Sequence, residues 1–392
     1  MADLLPRSLP RRIGLLTGGG DCPGLNAVIR AFTRTARGRH GVVVVGIEDG
    51  FEGLLEGRMR ELDYNEVAGL IGEGGTVLGT TNKGDPWHFP VTAADGTVEI
   101  HDVSARMLAR LREAALDALV VVGGDGSMHI AQRFVALGVP VVGVPKTIDN
   151  DLSATDTTFG FDTAVSIVSE AIDRLTTTAS SHHRVMVIEV MGRYAGWIAL
   201  AGGMAGAADT ILIPEVPFGW ESVFRHVRQR ALRGRRFSIV CVAEGTKLPD
   251  GGEVLRGIDR RRTDAKQLGG VGAVIARQIE EATGLETRVT VLGHLQRGGT
   301  PTAYDRLLAT RFGVAAADAA CRGDSGVMVA LRGTDIVTVS IADAISTLRT
   351  VPPDHPWVHA ARAVGTRFGD EPVPTGDAAD RGDDARGADP AR

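Results

Sequence analysis

Two segments of the chain combine residue types that suit the transfer of a phosphoryl group. Gly123–Ser127 (GGDGS) is a glycine loop with one carboxylate, and it follows an apolar run. Glycines let backbone N–H groups approach phosphate oxygens, and Mg²⁺ needs few protein carboxylates when phosphates also bind it. Thr147–Asp151 (TIDND) follows the next apolar run, and its Asp149 is suited to accept the proton of an attacking hydroxyl. Together the two segments predict phosphoryl transfer to a hydroxyl group.

Each segment also has a simpler interpretation. GGDGS is compatible with a tight turn whose Asp caps the following helix. TIDND is compatible with an Asx-rich turn. A third glycine loop, Thr17–Asn26 (TGGGDCPGLN), is weaker evidence for phosphate binding, because such turns are common in α/β folds. It is not a Walker loop, since no Gly-Lys-Ser/Thr sequence closes it.

Basic residues at or beside the predicted strand ends form a candidate clamp for a substrate phosphate, in which Arg gives bidentate contacts. They are Arg184, Arg193, Arg288, His294 and Arg297. His294 and Arg297 are three residues apart, so they share a face if their segment is helical. Glu244 also ends an apolar run and is suited to accept hydrogen bonds from sugar hydroxyls. The alternative interpretation of Glu244 is an ion pair at the surface.

Short β-branched runs alternate with amphipathic patterns that predict helices, such as the face formed by Leu25, Val28, Ile29 and Phe32. This alternation predicts an α/β fold of two Rossmann-like lobes, whose mainly parallel sheets are covered by helices. Ligands of open α/β sheets bind at the carboxyl ends of the strands. We therefore expect the active site in the cleft between the lobes. The predicted strands are Ile13–Leu16, Val42–Ile47, Leu119–Val122, Val139–Val144, Val185–Val190, Ile239–Ala243 and Val289–Leu292.

Composition narrows the function classes. The formal net charge of −5 argues against a nucleic-acid partner. The most apolar stretches are broken by Gly or charge before they reach membrane-spanning length. Cys22, Cys241 and Cys321 have no paired spacing, which favours a reducing compartment, such as the cytoplasm, over a disulfide framework or a zinc site.

The order of these motifs resembles that of the 6-phosphofructokinase family. The resemblance covers roughly Arg12 to Leu348, and it rests on long matches in the same order. They are TGGGDCPGLNAVIRA, GGDGS, PKTIDND, SSHHRVMVIEVMGRYAGW, PEVPF and ETRVTVLGHLQRGGTPTAYDR. The family transfers phosphate to the 1-hydroxyl of fructose 6-phosphate in glycolysis. The resemblance therefore implies Mg²⁺ as cofactor, ATP or pyrophosphate as phosphoryl donor, and a homo-oligomer, either a dimer or a tetramer.

Residue roles follow from the same resemblance. It implies that Asp149 is the proton acceptor, with Thr147 and Arg193 beside it, and that Asp125 binds the metal. Arg184 and Arg288 are expected to reach the site of a neighbouring subunit. The donor is expected to contact Gly20, Asn82, Lys83, Gly124, Asp125, Gly126 and Ser127. The sugar phosphate is expected to contact Thr147, Met191, Gly192, Arg193, Glu244, His294 and Arg297.

Two positions bear on the choice of donor. Pyrophosphate-using members of the family usually have Asp at the position of Gly126 and Lys at the position of Lys146, so this chain has a mixed signature. An Asp side chain at 126 would crowd and repel the α-phosphate of a nucleotide, whereas Gly leaves room. Lys146 adds positive charge near the transferred phosphate without excluding ATP. The sequence therefore predicts an ATP-using member of the mixed-substrate group.

Domain bounds follow from the same matches. We expect a donor-binding lobe over residues 12–160 with a return segment at 296–348, and a sugar-phosphate-binding lobe over 161–295. Residues 369–392 are rich in Asp, Arg, Pro, Gly and Ala and are predicted to be a disordered tail. Residues 247–270 are polar and are predicted to be a long surface loop or an insertion.

Competing functions differ in the features that they leave unexplained. Gly126 argues against a pyrophosphate-dependent phosphotransferase. An NAD or lipid kinase also uses a GGDG loop, but it does not account for TIDND or the basic residues. A dinucleotide-binding oxidoreductase expects G-x-G-x-x-G, which Gly18–Asp21 fits poorly. An inactive regulatory subunit is disfavoured because Asp125 and Asp149 are both present.

Overall fold

The fold was analysed from a computed structural model, which describes residues 9–92, 95, 97–259 and 265–372. Every strand that the sequence predicted is present. In chain order the strands are β1 (Arg12–Thr17), β2 (Val43–Ile47), β3 (Met59–Leu62), β4 (Phe89–Thr92), β5 (Val98–His101), β6 (Ala118–Gly123), β7 (Val141–Pro145), β8 (Val185–Val190), β9 (Thr210–Leu212), β10 (Ser238–Ala243), β11 (Leu255–Ile258), β12 (Lys266–Leu268), β13 (Thr287–Val291), β14 (Val327–Arg332) and β15 (Asp335–Ser340).

Two sheets organise the chain, as predicted. The larger is seven-stranded in the order β15-β14-β7-β6-β1-β2-β3, and only its edge strands β3 and β15 are antiparallel to their neighbours. The smaller is four-stranded in the order β13-β8-β10-β9 and is entirely parallel. The strands β1, β6, β7, β8 and β10 are buried almost throughout, which explains their continuous apolar sequences.

Helices cover both sheets. The predicted apolar face of the first helix is correct, since Leu25, Val28, Ile29 and Phe32 are all fully buried. Two 3₁₀ helices occur at Leu70–Gly72 and Gly293–Arg297. The α-helices are α1 (Leu25–His40), α2 (Gly50–Glu56), α3 (Ser104–Glu113), α4 (Asp125–Ala136), α5 (Phe161–His182), α6 (Trp197–Ala205), α7 (Trp220–Leu232), α8 (Val271–Thr283), α9 (Ala303–Arg322), α10 (Ile341–Ala344) and α11 (Pro356–Ala363).

Two sequence-based expectations need correction. The stretch 247–270 is not simply a loop, because β11 and β12 pair within it as an antiparallel hairpin. The predicted disordered tail begins too early, because Gly369 accepts a hydrogen bond from the Gly219 backbone at 2.8 Å and Glu371 accepts one from the Ser222 hydroxyl at 3.0 Å. The rest of that prediction, residues 373–392, lies outside the described residues.

Residues 346–372 form a C-terminal segment that contacts both sheets. It starts beside the larger sheet, where Leu348 pairs with Leu152. It ends on the smaller sheet, where Arg367 pairs with Thr210 in parallel and so extends the edge at β9. Phe368 is fully buried there. The segment therefore ties the two halves of the chain together.

The carboxyl ends of the buried parallel strands lead into the segments that the sequence analysis selected. β6 leads into GGDGS, β7 into TIDND, β8 into Met191–Arg193 and β10 into Glu244. No helix within the described residues is long and apolar enough to cross a membrane.

Candidate active site

Two glycine loops lie against each other at the end of the larger sheet. The backbone N–H of Gly18 donates to the carbonyl of Val122 at 2.9 Å, which joins the end of β1 to the end of β6. A Cβ added at Gly18 would lie 2.8 Å from the Ser127 hydroxyl oxygen, so the two loops are as close as glycine allows. This arrangement presents backbone N–H groups of both loops on one side of the sheet.

Asp125 begins α4, with Gly126 and Ser127 in the same first turn. The N-terminus of a helix attracts anions, and such a site favours phosphate oxygens. Burial raises the pKa of Asp125, and the charges of His129 and Arg193 oppose that increase. The charge of Arg193, which follows β8 of the smaller sheet, therefore acts on this loop of the larger sheet. The Asp125 side chain is still 38% exposed, so it is accessible to a ligand.

Asn82 and Lys83 are exposed residues that follow a segment bonded to the first glycine loop. The hydroxyl of Thr80 donates to the carbonyl of Gly19 at 2.6 Å, and the Gly19 N–H donates to the carbonyl of Thr81 at 3.2 Å. These bonds place Asn82 and Lys83 at the border of the loop, on the side predicted to bind the donor.

Lys146 lies between the glycine loops. Its side chain is buried and donates to the Gly20 carbonyl, and its Nζ lies 3.5 Å from the position of a Cβ on Gly19. Burial lowers the pKa of Lys146 to about 8. A mostly charged ammonium group therefore lies directly under the loop that is expected to meet the transferred phosphate.

The TIDND segment is held as a rigid turn by its own threonine and by Thr158. The Asp149 N–H donates to the Thr147 hydroxyl at 3.0 Å, and the Thr158 hydroxyl donates to the Thr147 carbonyl at 2.7 Å. Asn150 has a left-handed backbone with φ of 52°, and its side-chain oxygen accepts from the Thr158 N–H. Strained backbone of this kind persists where the surrounding structure enforces it, and it is common at functional sites.

Each carboxylate of this turn leaves one oxygen available to a ligand, although the Asp151 carboxylate also bonds the Thr147 side chain. Among the described residues, Asp149 Oδ1 and Asp151 Oδ1 are buried without a hydrogen-bond partner. An Asx turn would use the Asp149 carboxylate to bond the local backbone, so the unsatisfied oxygen favours a ligand-binding role instead.

Asp151 is a second buried carboxylate of the TIDND turn, and no role was predicted for it from the sequence. It is almost fully buried, and burial together with the charge of Asp149 raises the pKa of Asp151 well above its usual value. Its role was missed because sequence spacing alone does not show which carboxylate of the segment is buried beside another.

On the side of the smaller sheet, β8 leads into Met191–Arg193. Gly192 has φ of 143° and Arg193 has φ of 48°, so the backbone reverses sharply at these two residues. The Arg193 N–H lies 3.4 Å from the Glu244 carboxylate at the end of β10. Burial and the charge of Asp149 raise the pKa of Glu244 to about 7. Glu244 is therefore electrostatically linked to the TIDND turn across the two sheets.

The raised pKa of Glu244 predicts a pH-dependent stability. In the unfolded chain this carboxyl titrates near 4.5, so between about pH 4.5 and 7 the folded state binds more protons than the unfolded one. The free energy of unfolding of the ligand-free protein should fall as pH rises through this window. We expect Glu244→Gln to remove this fall, which amounts to a free energy of unfolding on the order of 3 kcal/mol.

Denaturant unfolding at about pH 5 and about pH 8 checks this expectation, because the variant should be more stable than the wild type only at the higher pH. Glu99→Gln, a change at an exposed carboxylate, is the control and should show no such gain. An equal difference between Glu244→Gln and wild type at both pH values would contradict it.

His294 and Arg297 lie on the 3₁₀ helix Gly293–Arg297, and residues three apart share a face of such a helix, as expected. Arg297 donates to the carbonyl of Asp21 at 3.0 Å, and its guanidinium lies against Gly20. The sequence analysis assigned Arg297 only to the sugar phosphate. The structure places it directly on the first glycine loop, between the two expected substrates.

Arg184 and Arg288 do not join this group. Both lie at the amino-terminal ends of their strands, β8 and β13, and both pair with Glu286. Since a strand rises about 3.3 Å per residue, Arg184 lies roughly 20 Å from Met191. Within one chain, therefore, these two residues are not part of the clamp.

Oxygen ligands dominate the site. Within the described ranges, no group of three or more His, Cys, Asp or Glu side chains is arranged to hold a metal ion. The chemistry instead fits Mg²⁺, which binds one or two carboxylates together with substrate phosphates and water. The accessible Asp125 carboxylate is consistent with such a cation.

Comparison with known proteins matches this arrangement. A sequence model of the family described as Phosphofructokinase matches residues 12–320. A protein of Chloroflexus aurantiacus named ATP-dependent 6-phosphofructokinase is 53% identical, over 93% of this chain and 99% of that protein. A protein of Amycolatopsis methanolica named pyrophosphate–fructose 6-phosphate 1-phosphotransferase is 52% identical, over 88% of this chain and 97% of that protein.

A solved structure of phosphofructokinase from Pichia pastoris, in the T-state, has the same fold. It superimposes with a TM-score of 0.73 at 31% identity and covers 86% of this chain. The chain spans 35% of the length of that solved chain.

Proposed function

Because the chain belongs to the phosphofructokinase family, we propose that it transfers a phosphoryl group from ATP to the 1-hydroxyl of fructose 6-phosphate. It is thus a phosphotransferase that forms fructose 1,6-bisphosphate in glycolysis. The observation that carries the proposal is the buried, unsatisfied Asp149 carboxylate, on a turn between the glycine loops and the Arg193–Glu244 pair. A proton acceptor there would lie between donor and sugar.

Each part of the site has a role in this reaction. Asp149 accepts the proton of the attacking hydroxyl, and the Thr147 hydroxyl holds the Asp149 backbone in place. The positive charge of Arg193 stabilises the charge that develops on the transferred group. Asp125 would hold Mg²⁺, which would supply positive charge to neutralise the phosphates of the donor.

The substrates divide the remaining residues between them. The donor contacts Gly20, Asn82, Lys83 and the first turn of α4, from Gly124 to Ser127. The sugar phosphate contacts Met191, Gly192, Glu244 and His294. Arg297 contacts both, since it already bonds to Asp21 in the donor loop. The corresponding lobes are residues 12–160 with 296–348, and residues 161–295. The two sheets support this division, and the C-terminal segment joins the two lobes.

A direct assay tests the proposal. The purified chain with fructose 6-phosphate, ATP and Mg²⁺ should form ADP and fructose 1,6-bisphosphate in equal amounts. Equal turnover with no sugar phosphate present, or phosphorylation of NAD in its place, would favour another kinase. We also propose a cytoplasmic location, which the three free cysteines support.

The proposal extends to a homo-oligomer, in which Arg184 and Arg288 reach the sugar phosphate of a neighbouring subunit. Their position at the far end of the strands supports this, because within one chain they are too distant to help. Arg184→Ala and Arg288→Ala should each remove a charge-assisted contact of about 1.5–3 kcal/mol. We expect the half-saturating fructose 6-phosphate concentration to rise roughly 10-fold to 100-fold, and that of ATP to change little.

Arg174→Ala is the matched control, since Arg174 is an exposed arginine of α5 whose guanidinium pairs with its helix neighbour Glu170. It should leave both half-saturating concentrations unchanged. An equal rise for ATP in the Arg184 and Arg288 variants, or full activity of a monomer in sedimentation, would contradict the assignment to a neighbouring subunit.

A further inference from the structure

The TIDND turn has a second anchor, which comes from the C-terminal segment. The backbone N–H of Arg349 donates to the carbonyl of Asp151 at 2.8 Å. The guanidinium of the same residue donates to the carbonyl of Asn150 at 3.3 Å. One arginine therefore holds two successive carbonyls, immediately after the proton acceptor Asp149.

Arg349 also contacts the other half of the site. Its guanidinium carbon lies 4.5 Å from the centre of the Trp197 ring, and the Trp197 indole N–H donates to the Arg349 carbonyl at 2.9 Å. Trp197 is buried and begins α6, directly after the loop that carries Arg193. Arg349 thus connects the TIDND turn with the loop on the sugar side.

A neighbouring bond reinforces this connection. The Glu215 carboxylate accepts from the Gly196 N–H at 2.9 Å and from the Val351 N–H at 2.8 Å. Gly196 lies just before Trp197, and Val351 lies two residues after Arg349. The short stretch 349–351 is therefore bonded both to the turn of the proton acceptor and to the base of the sugar-side loop.

We propose that Arg349 is a positioning residue that fixes Asp149 relative to Met191–Arg193. This inference rests on the proposed function. The turn needs such support, because Asn150 is a non-glycine residue with a left-handed backbone. Thr158 holds the Asn150 side chain, and Arg349 joins the turn to the sugar-side loop by direct contacts. Catalysis is sensitive to small misplacements of reacting groups, so this link affects rate more than substrate affinity.

The test is Arg349→Ala, measured by steady-state kinetics. We expect kcat to fall about 10-fold to 100-fold, while the half-saturating ATP concentration stays within about a factor of two. Guanidinium ion in the millimolar range should restore part of kcat in this variant and not in wild type. Arg349→Lys should give an intermediate kcat, because it keeps one donor but loses the planar group stacked on Trp197.

A second variant keeps the test informative if Arg349→Ala folds poorly. Trp197→Phe keeps an aromatic ring under the guanidinium and removes the indole N–H that bonds the Arg349 carbonyl. It should lower kcat in the same direction but by less. Arg332→Ala is the control, since Arg332 is exposed and its guanidinium forms a long ion pair of 3.7 Å with Asp156. It should leave kcat unchanged.

Outcomes separate this inference from the proposed function. A wild-type protein that does not phosphorylate fructose 6-phosphate would overturn the function. An active wild type with an Arg349→Ala variant of equal kcat would overturn the positioning role alone. A lowered kcat that guanidinium does not restore, together with a Trp197→Phe variant equal to wild type, would also overturn it and indicate a general loss of stability.

Discussion

Asp149→Asn is expected to lower kcat by roughly 10²–10⁴, the range for removal of a general base. Asn has the same shape as Asp but accepts no proton. Its half-saturating fructose 6-phosphate concentration should stay within a small factor, because the backbone of the turn is held by Thr147 and Thr158 and not by the Asp149 carboxylate.

Folding should not explain that loss. Asp149 Oδ1 is buried without a partner, and the Asp149 charge raises the pKa of Asp151 and Glu244. Removing the charge relieves repulsion, so Tm should be unchanged or higher. Asp156→Asn, a half-exposed carboxylate on the same stretch of chain, is the control. An unchanged kcat in Asp149→Asn would exclude Asp149 as the base.

The second large effect concerns the phosphoryl donor. The wild-type chain is expected to use ATP and to show no appreciable turnover with pyrophosphate. Gly126→Asp should strongly reduce ATP use, because the new carboxylate would occupy the space of the α-phosphate and repel it. Lys146 already lies under the glycine loops, so the variant has part of a pyrophosphate site, and a gain of pyrophosphate activity would agree with this.

Gly126→Asp is an informative variant because it should fold. Position 126 lies in the first turn of α4, where a negative charge is favoured by the helix dipole. Loss of ATP use with an unchanged Tm would therefore report on binding. Robust wild-type turnover with pyrophosphate and none with ATP, at saturating Mg²⁺ and fructose 6-phosphate, would reverse the donor assignment and leave the family unchanged.

Overall similarity does not decide the donor in this family. The relatives named for ATP and for pyrophosphate are 53% and 52% identical to this chain. We expect single residues at the donor loops, such as Gly126 and Lys146, to carry that information instead. Their expected effects follow from the sequence, because each depends on the volume and charge of a single side chain.

Much of the central architecture was predictable for physical reasons. Parallel strands buried on both faces need continuous apolar runs, and polar residues directly after those runs must meet at one edge of the sheet. The GGDGS and TIDND segments were placed correctly by this argument. Edge strands such as β3 and β15 were missed because few of their residues are buried, so their sequences lack an apolar run.

Long-range backbone bonding was not predictable in the same way. Arg349 is bonded to Asn150, which is 199 residues earlier in the chain, and no local pattern marks either end of this contact. Arg297 was assigned to the sugar side alone for a similar reason, since only the folded structure brings the 3₁₀ helix onto the loop at Gly20.

The C-terminal segment also determines the order in which the site can be completed. A chain is synthesised from its N-terminus, and early regions begin to fold before later ones have emerged. The glycine loops, the TIDND turn and the sugar-side loop are all synthesised before residues 346–372. The edge of β9 and the carbonyls of Asn150 and Asp151 bond to residues of this segment. Apart from α11, which is part of it, the segment is synthesised after all the strands and helices given above. The bonds that this segment adds between the two halves form only after it has been synthesised, so a ribosome that stalls shortly before it should hold a chain whose TIDND turn lacks the bonds from Arg349.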